Sequence, residues 1–112
     1  MTSKYKVISV GYHPELLWLR EAVLRHAGFD VLTTLDFNQG MEHIERGNCG
    51  VLLLCYSLPL LSRRRLAETF RRNCPDGRIV TIMNERGKAK FSDVVVYGLD
   101  GPEALIEAIK SV

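Results

Sequence analysis

The stretch Val51-Leu-Leu-Leu-Cys-Tyr-Ser-Leu-Pro59 decides the fold. An unbroken apolar run ends at Cys55-Tyr56. A short polar step, a proline and the basic segment Arg63-Arg64-Arg65 follow. A strand with one wet face alternates apolar and polar residues, whereas a continuous apolar run is buried on both faces, as in a parallel sheet covered by helices. In open sheets of that kind, sites lie just beyond the carboxyl ends of the strands. Cys55 therefore marks the edge where a functional site is expected.

Outward from this strand, Val51–Tyr56, strand-like and helical patterns alternate. Lys6–Val10 reads as strand one and Val31–Thr34 as a short, β-branched edge strand two. Arg78–Met83 and Asp93–Tyr97 read as strands four and five. Helix one spans His13–Ala27, with Pro14 in the first turn, Leu16, Leu19, Val23, Leu24 and Ala27 inward, and Gly28 as its stop. Asp36 or Asn38 caps helix two, which turns Met41, Ile44 and Phe37 inward, and Gly47 and Gly50 bracket the next turn. Helix three runs from Ser62, its N-cap, to Asn73, ahead of the turn Pro75-Asp76-Gly77. Gly101-Pro102-Glu103 opens the last helix, with Leu105, Ile106 and Ile109 inward.

Alternating strands and helices predict a five-stranded parallel α/β sheet with helices on both faces. Right-handed crossovers leave few topologies, and the flavodoxin-like order 2-1-3-4-5 is the one expected here. The last crossover is short. Only nine residues, Asn84 to Ser92, separate Met83 from Asp93, whereas a full crossover takes at least ~10–12. Gly87 weakens any helix there further. The fourth helix is therefore expected to be a turn or missing. The apolar strands four and five would then need cover, from Phe91 folding back or from another molecule.

A chain of 112 residues makes one domain, 1–112, and a core of this size needs no staples. A net charge of +2 with mostly dispersed basic residues argues against nucleic acid. The longest apolar run is six residues, Val51 to Tyr56, against the ~20 of a membrane span. The N-terminus has no signal-like apolar region, so a cytoplasmic location is expected. Three cysteines, Cys49, Cys55 and Cys74, have neither paired nor metal-like spacing and read as reduced thiols. The chain ending at Val112 without a linker leads to the expectation of a stand-alone protein.

The order of elements, the length and several local patterns resemble the receiver domains of bacterial two-component signalling. The patterns are His13-Pro14 opening helix one, Gly28-Phe29-Asp30-Val31 entering strand two, the strand-three run ending four residues before Pro59, and Pro102-Glu103-Ala104-Leu105 starting the last helix. The resemblance covers Lys6 to Val112. It implies a phosphate-accepting aspartate at the end of strand three, two acidic residues after strand one holding magnesium, a hydroxyl residue ending strand four, and a lysine after strand five. Here those positions carry Cys55, Gly11 and Tyr12, Met83, and Gly98. A one-residue slip at strand five supplies no lysine, since none lies between Lys90 and Lys110. Magnesium requires oxygen ligands, preferably anionic, and a sulfur does not serve. Phosphoryl transfer further relies on metal and lysine to offset developing charge. The chain thus reads as a pseudo-receiver: no enzyme and no cofactor, but a bacterial signalling module acting on a protein partner or on a second copy.

Several residues carry two readings. Cys55 is an apolar filler, or the reactive centre of a small-molecule or thiol-sensing crevice. Five arginines lie within ten residues, Arg63 to Arg72. They form a solvated face in which Arg64, Arg65, Arg71 and Arg72 pair with Glu68, or a patch for an acidic partner. Trp18 packs on the final helix, or anchors a protein contact. His13, His26 and His43 read as surface or capping histidines rather than metal ligands. The expected interaction surface comprises Trp18, Phe91, Val95, Tyr97, Arg64 and Arg71.

Overall fold

A computed structural model describes residues 6–47, 49–85 and 89–110. Its elements are β1 (Lys6–Val10), α1 (Pro14–His26), β2 (Asp30–Thr34), α2 (Phe37–Glu45), β3 (Val51–Cys55), α3 (Leu60–Asn73), β4 (Arg78–Met83), β5 (Val94–Tyr97), a 3-10 turn (Gly98–Asp100) and α4 (Pro102–Lys110). The strands form one parallel sheet in the order β2-β1-β3-β4-β5, the flavodoxin-like topology. Among the described residues no helix stands between β4 and β5. Gly87 lies outside them.

The side-chain period of two in β3 feeds two cores. Val51 and Leu53 join Leu24 of α1 and Leu105 and Ile109 of α4 on one face. Leu52 and Leu54 join Ile44 of α2 and Leu66 and Phe70 of α3 on the other. All five β3 residues are buried. Each Leu or Val so enclosed contributes about 1.5–3 kcal/mol, which is why the strand admits no polar residue.

Helix boundaries follow local chemistry. After α1 the Phe29 amide donates to Leu24 O and the Gly28 amide to Arg25 O, a Schellman cap. Gly28 sits at φ +97°, a conformation a side chain would strain. Phe29 then packs in the same core as Leu24. Asp36, not Asn38, caps α2, its Oδ1 accepting from the amides of Asn38 and Gln39.

Two expectations need correction. α3 starts two residues early, at Leu60, because the Leu58 amide closes a turn onto Cys55 O and Pro59 O accepts the first helical bond, from Arg63. Ser62 therefore lies inside the first turn and caps nothing. On α1 the buried residues are Leu17 and Leu24, while Leu19 is 62% exposed. The inward stripe is rotated from the expected one, and Leu16 and Val23 are left half-buried on its flank.

Candidate functional site

The carboxyl ends of β1, β3, β4 and β5 bring the five singled-out positions to one edge of the sheet. Gly11 is buried against Cys55. A Cβ at Gly11 would lie 2.6 Å from Cys55 Cβ and 2.8 Å from Leu17 Cδ1, so no side chain fits there without rearrangement. Tyr12 projects outward, and its amide donates to Ser57 Oγ at 2.8 Å. His13 is a cap, its Nδ1 accepting from the Leu16 amide at 3.4 Å.

Cys55 ends β3 and is 2% exposed. Its sulfur accepts a hydrogen bond from Nη1 of Arg20, at 3.1 Å. Sequence reasoning missed Arg20, although a signal was present. It stands three residues after Leu17 and four before Leu24, on the buried stripe of α1, where a charged side chain is carried over the sheet edge. The matching contact on the other face is Arg63 of α3, whose Nη1 lies 3.7 Å from the Met83 sulfur. The Nε of Arg63 is buried without a hydrogen-bond partner.

The β4–β5 register places Met83 beside Tyr97. Tyr97 is therefore the β5 residue level with the end of β4, and Gly98 begins the 3-10 turn one residue further on. Thr81, two residues inside β4, is fully buried with its hydroxyl paired to Ser92 Oγ. Among the described residues, no group of three or more His, Cys, Asp or Glu is placed to hold a metal ion.

The end of the connection that leads into β5 is pinned from α3. Arg71 Nη1 lies 2.9 Å from Asp93 Oδ2, and Arg71 Nη2 donates to Phe91 O at 3.1 Å. Asp93 Oδ2 also accepts the Ile79 amide at 2.8 Å. Burial alone raises the Asp93 carboxyl. The Arg71 guanidinium, the Ile79 amide and the Arg78 charge outweigh it and hold the carboxyl below its ordinary value.

Arg71 is thus tied to Asp93 rather than to Glu68. The ion pairs among the described residues are Arg25–Glu21 and Arg71–Asp93, and Glu68 is in neither. Arg72 leans on Thr69 Oγ1, while Arg64 and Arg65 are exposed.

Phe91 folds back onto the α2–α3 core, and Val95 and Tyr97 are half-buried. Among the described residues, the large exposed hydrophobics lie elsewhere: Tyr12, Trp18, Leu19, Leu60, Leu61 and Leu99. Of the two covers expected for strands four and five, Phe91 folding back is the one seen: it packs on the core that includes Ile79 of β4. Trp18 is half-exposed.

The other two cysteines are interior. The Cys49 thiol donates to Val51 O at 3.0 Å, and desolvation by burial pushes it up to about 12. Burial raises Cys74 as well.

Solved receiver domains superimpose on this architecture. A CheY-like receiver domain from Methanospirillum hungatei matches with TM-score 0.82 at 18% identity, over 95% of this chain and 90% of that one. A response regulator from Thermotoga maritima, solved in complex with Mg2+-BeF, matches with TM-score 0.81 at 18% identity, over 99% and 98%. The receiver domain of a sensor histidine kinase from Pseudomonas aeruginosa, solved with magnesium in its active-site cleft, matches with TM-score 0.80 at 17% identity, over 95% and 94%. No family model and no curated protein matches the chain. The fold is that of the response-regulator receiver domains.

Proposed function

We propose that this chain is a non-catalytic receiver-fold signalling module, one unit over 1–112, that works by protein–protein contact and not by phosphorylation. The observation that carries the reading is the Arg20–Cys55 contact. A receiver edge gathers carboxylates around a divalent cation. Here the end of β3 presents a sulfur to a guanidinium.

Magnesium does not fit these residues. Gly11 has no room for a carboxylate, Tyr12 points outward, and Cys55 offers no oxygen. Arg20 would repel the ion at short range. Cys55 is no acceptor carboxylate, and Gly98 supplies no lysine to offset the charge of a phosphoryl group.

Contact with a protein partner or a second copy is supported by Trp18 and Leu19, 50% and 62% exposed on α1, with Arg64 exposed on α3. Tryptophan is enriched among the residues that dominate binding energy. A homodimer through α1 would bury about 1,200 Å² or more. Sedimentation of the Trp18→Ala variant would show a lighter species than the wild type; a wild type that is monomeric at all concentrations removes self-association. A bacterial cytoplasmic location fits this role, and no described helix is long and apolar enough to cross a membrane.

The test of the reading is a titration with magnesium and beryllofluoride, followed by amide NMR. It predicts no saturable shift at Gly11, Cys55 or Met83. Saturable, magnesium-dependent shifts there would overturn it.

A further inference from the structure

Between α1, α4 and the ends of β4 and β5 lies a cleft of about 190 Å³. Leu16 and Val23 line it from α1, Leu105 from α4, and Ile82 and Val96 from the sheet. Among the described residues, Arg20 is the one charged residue in its lining. The cleft is larger than the roughly 150 Å³ at which an apolar protein cavity takes up benzene.

The guanidinium in this lining is under-used. It carries five N–H donors in a planar fork that matches a carboxylate, and a sulfur is a weak acceptor. Arg20 is in neither the Arg25–Glu21 nor the Arg71–Asp93 ion pair. It lies on the buried stripe of α1 and is itself only half-exposed. A half-buried guanidinium beside an apolar cleft favours an anion over any neutral occupant, because the cost of drawing it out of water is offset only by an opposite charge.

We propose that this cleft binds a small organic anion. Its carboxylate sits on the Arg20 guanidinium in place of the Cys55 sulfur, and an apolar body about the size of a benzene ring packs against Ile82, Val96 and Leu105. The three requirements are one negative charge, a compact apolar body and no second charge, since the rest of the lining offers no other ionic partner. The site shares Arg20 with the phosphate-free signalling reading, but the two are tested separately: a benzoate result of either sign leaves the beryllofluoride titration unchanged.

The test uses benzoate and its neutral counterpart benzyl alcohol, each titrated into the full chain and followed by methyl and amide NMR. The expected result is saturable shifts at Val23, Val96 and Leu105, with benzoate binding about tenfold or more tighter than benzyl alcohol, the worth of one charge-assisted contact. Arg20→Gln should remove most of that preference, and Arg20→Lys should keep part of it. Equal affinity for the two probes, shifts centred elsewhere, or no saturation with benzoate overturns the site. The wild-type comparison of the two probes decides the matter even if a variant fails to fold.

Discussion

Nη1 of Arg20, on α1, lies 3.1 Å from the sulfur of Cys55, at the end of β3. The contact joins the two residues that most distinguish this sheet edge. A fixed cation reaches the strand end from a helix, and the strand end offers it a soft, weakly accepting atom.

Cys55→Asp is the first consequence. A carboxylate at that position meets the Arg20 guanidinium at once and forms a charge-assisted pair. Gly11 and Tyr12 still supply no second or third carboxylate. The variant is expected to fold and to show no magnesium binding by isothermal calorimetry at millimolar ion. Magnesium binding by the single variant would mean that Arg20 yields readily and that the edge is closer to a metal site than its residues imply.

Arg63 is expected to cost stability. Its Nε is buried without a hydrogen-bond partner, its Nη1 reaches only a thioether, and it lies near the positive N-terminal end of α3 beside Arg64 and Arg65. An unsatisfied buried donor costs ~1–3 kcal/mol. Arg63→Leu should raise the urea midpoint by an amount equivalent to roughly 1 kcal/mol, with an unchanged slope. A lowered midpoint would show that the guanidinium has partners that matter more than the desolvation.

Much of the fold was legible in the sequence because β3 is an unbroken apolar run, the other strands are short and mostly β-branched, and the helix ends carry Gly28, Asp36 and Pro102. Those signals act over a few residues and need no tertiary partner. What escaped was set by distant contacts. Leu19 satisfies helical periodicity as well as Leu17 does, and only the docking of α1 on the sheet, with Leu17 against Gly11, decides which is buried. Phe91 was named as one of two covers for β4 and β5, but nothing local chooses between them. Arg71 looked like a partner for Glu68 on its own helix, and Asp93 outcompeted Glu68 through a loop that periodicity does not describe. At the site, Cys55 and Gly11 were found by strand position, whereas Arg20 was hidden by being a charge on an apolar stripe.

Asp93 makes stability fall in acid. Its carboxyl is held below the ordinary 3.8 in the folded chain. Its contribution is therefore complete above that value and is lost as pH falls through the lowered folded value. Both side chains of the Arg71–Asp93 pair are substantially open to solvent, 41% and 33%, which screens the interaction. Asp93→Asn should cost roughly 0.5–1 kcal/mol at neutral pH. The difference from wild type should narrow in denaturation curves taken below pH 3.8. A difference that is constant with pH would contradict the ion pair.

Cys49 acts at the other end of the scale. Its thiol is raised from 9.0 to about 12 by burial. The stability tied to the neutral thiol is complete below pH 9.0 and lost as pH rises toward 12, because the unfolded chain releases the proton first. The slope is about 1.4 kcal/mol per pH unit. Thermal melts of Cys49→Ala should decline less steeply than wild type over that interval. Parallel declines would place the alkaline sensitivity in other groups.

The most direct measurement is intact-mass analysis after incubation of the chain with acetyl phosphate and magnesium, alongside a phosphorylatable receiver domain as positive control. An unchanged mass is expected for this chain while the control gains one phosphoryl group. A phosphoryl adduct on the folded chain would contradict the phosphate-free signalling reading.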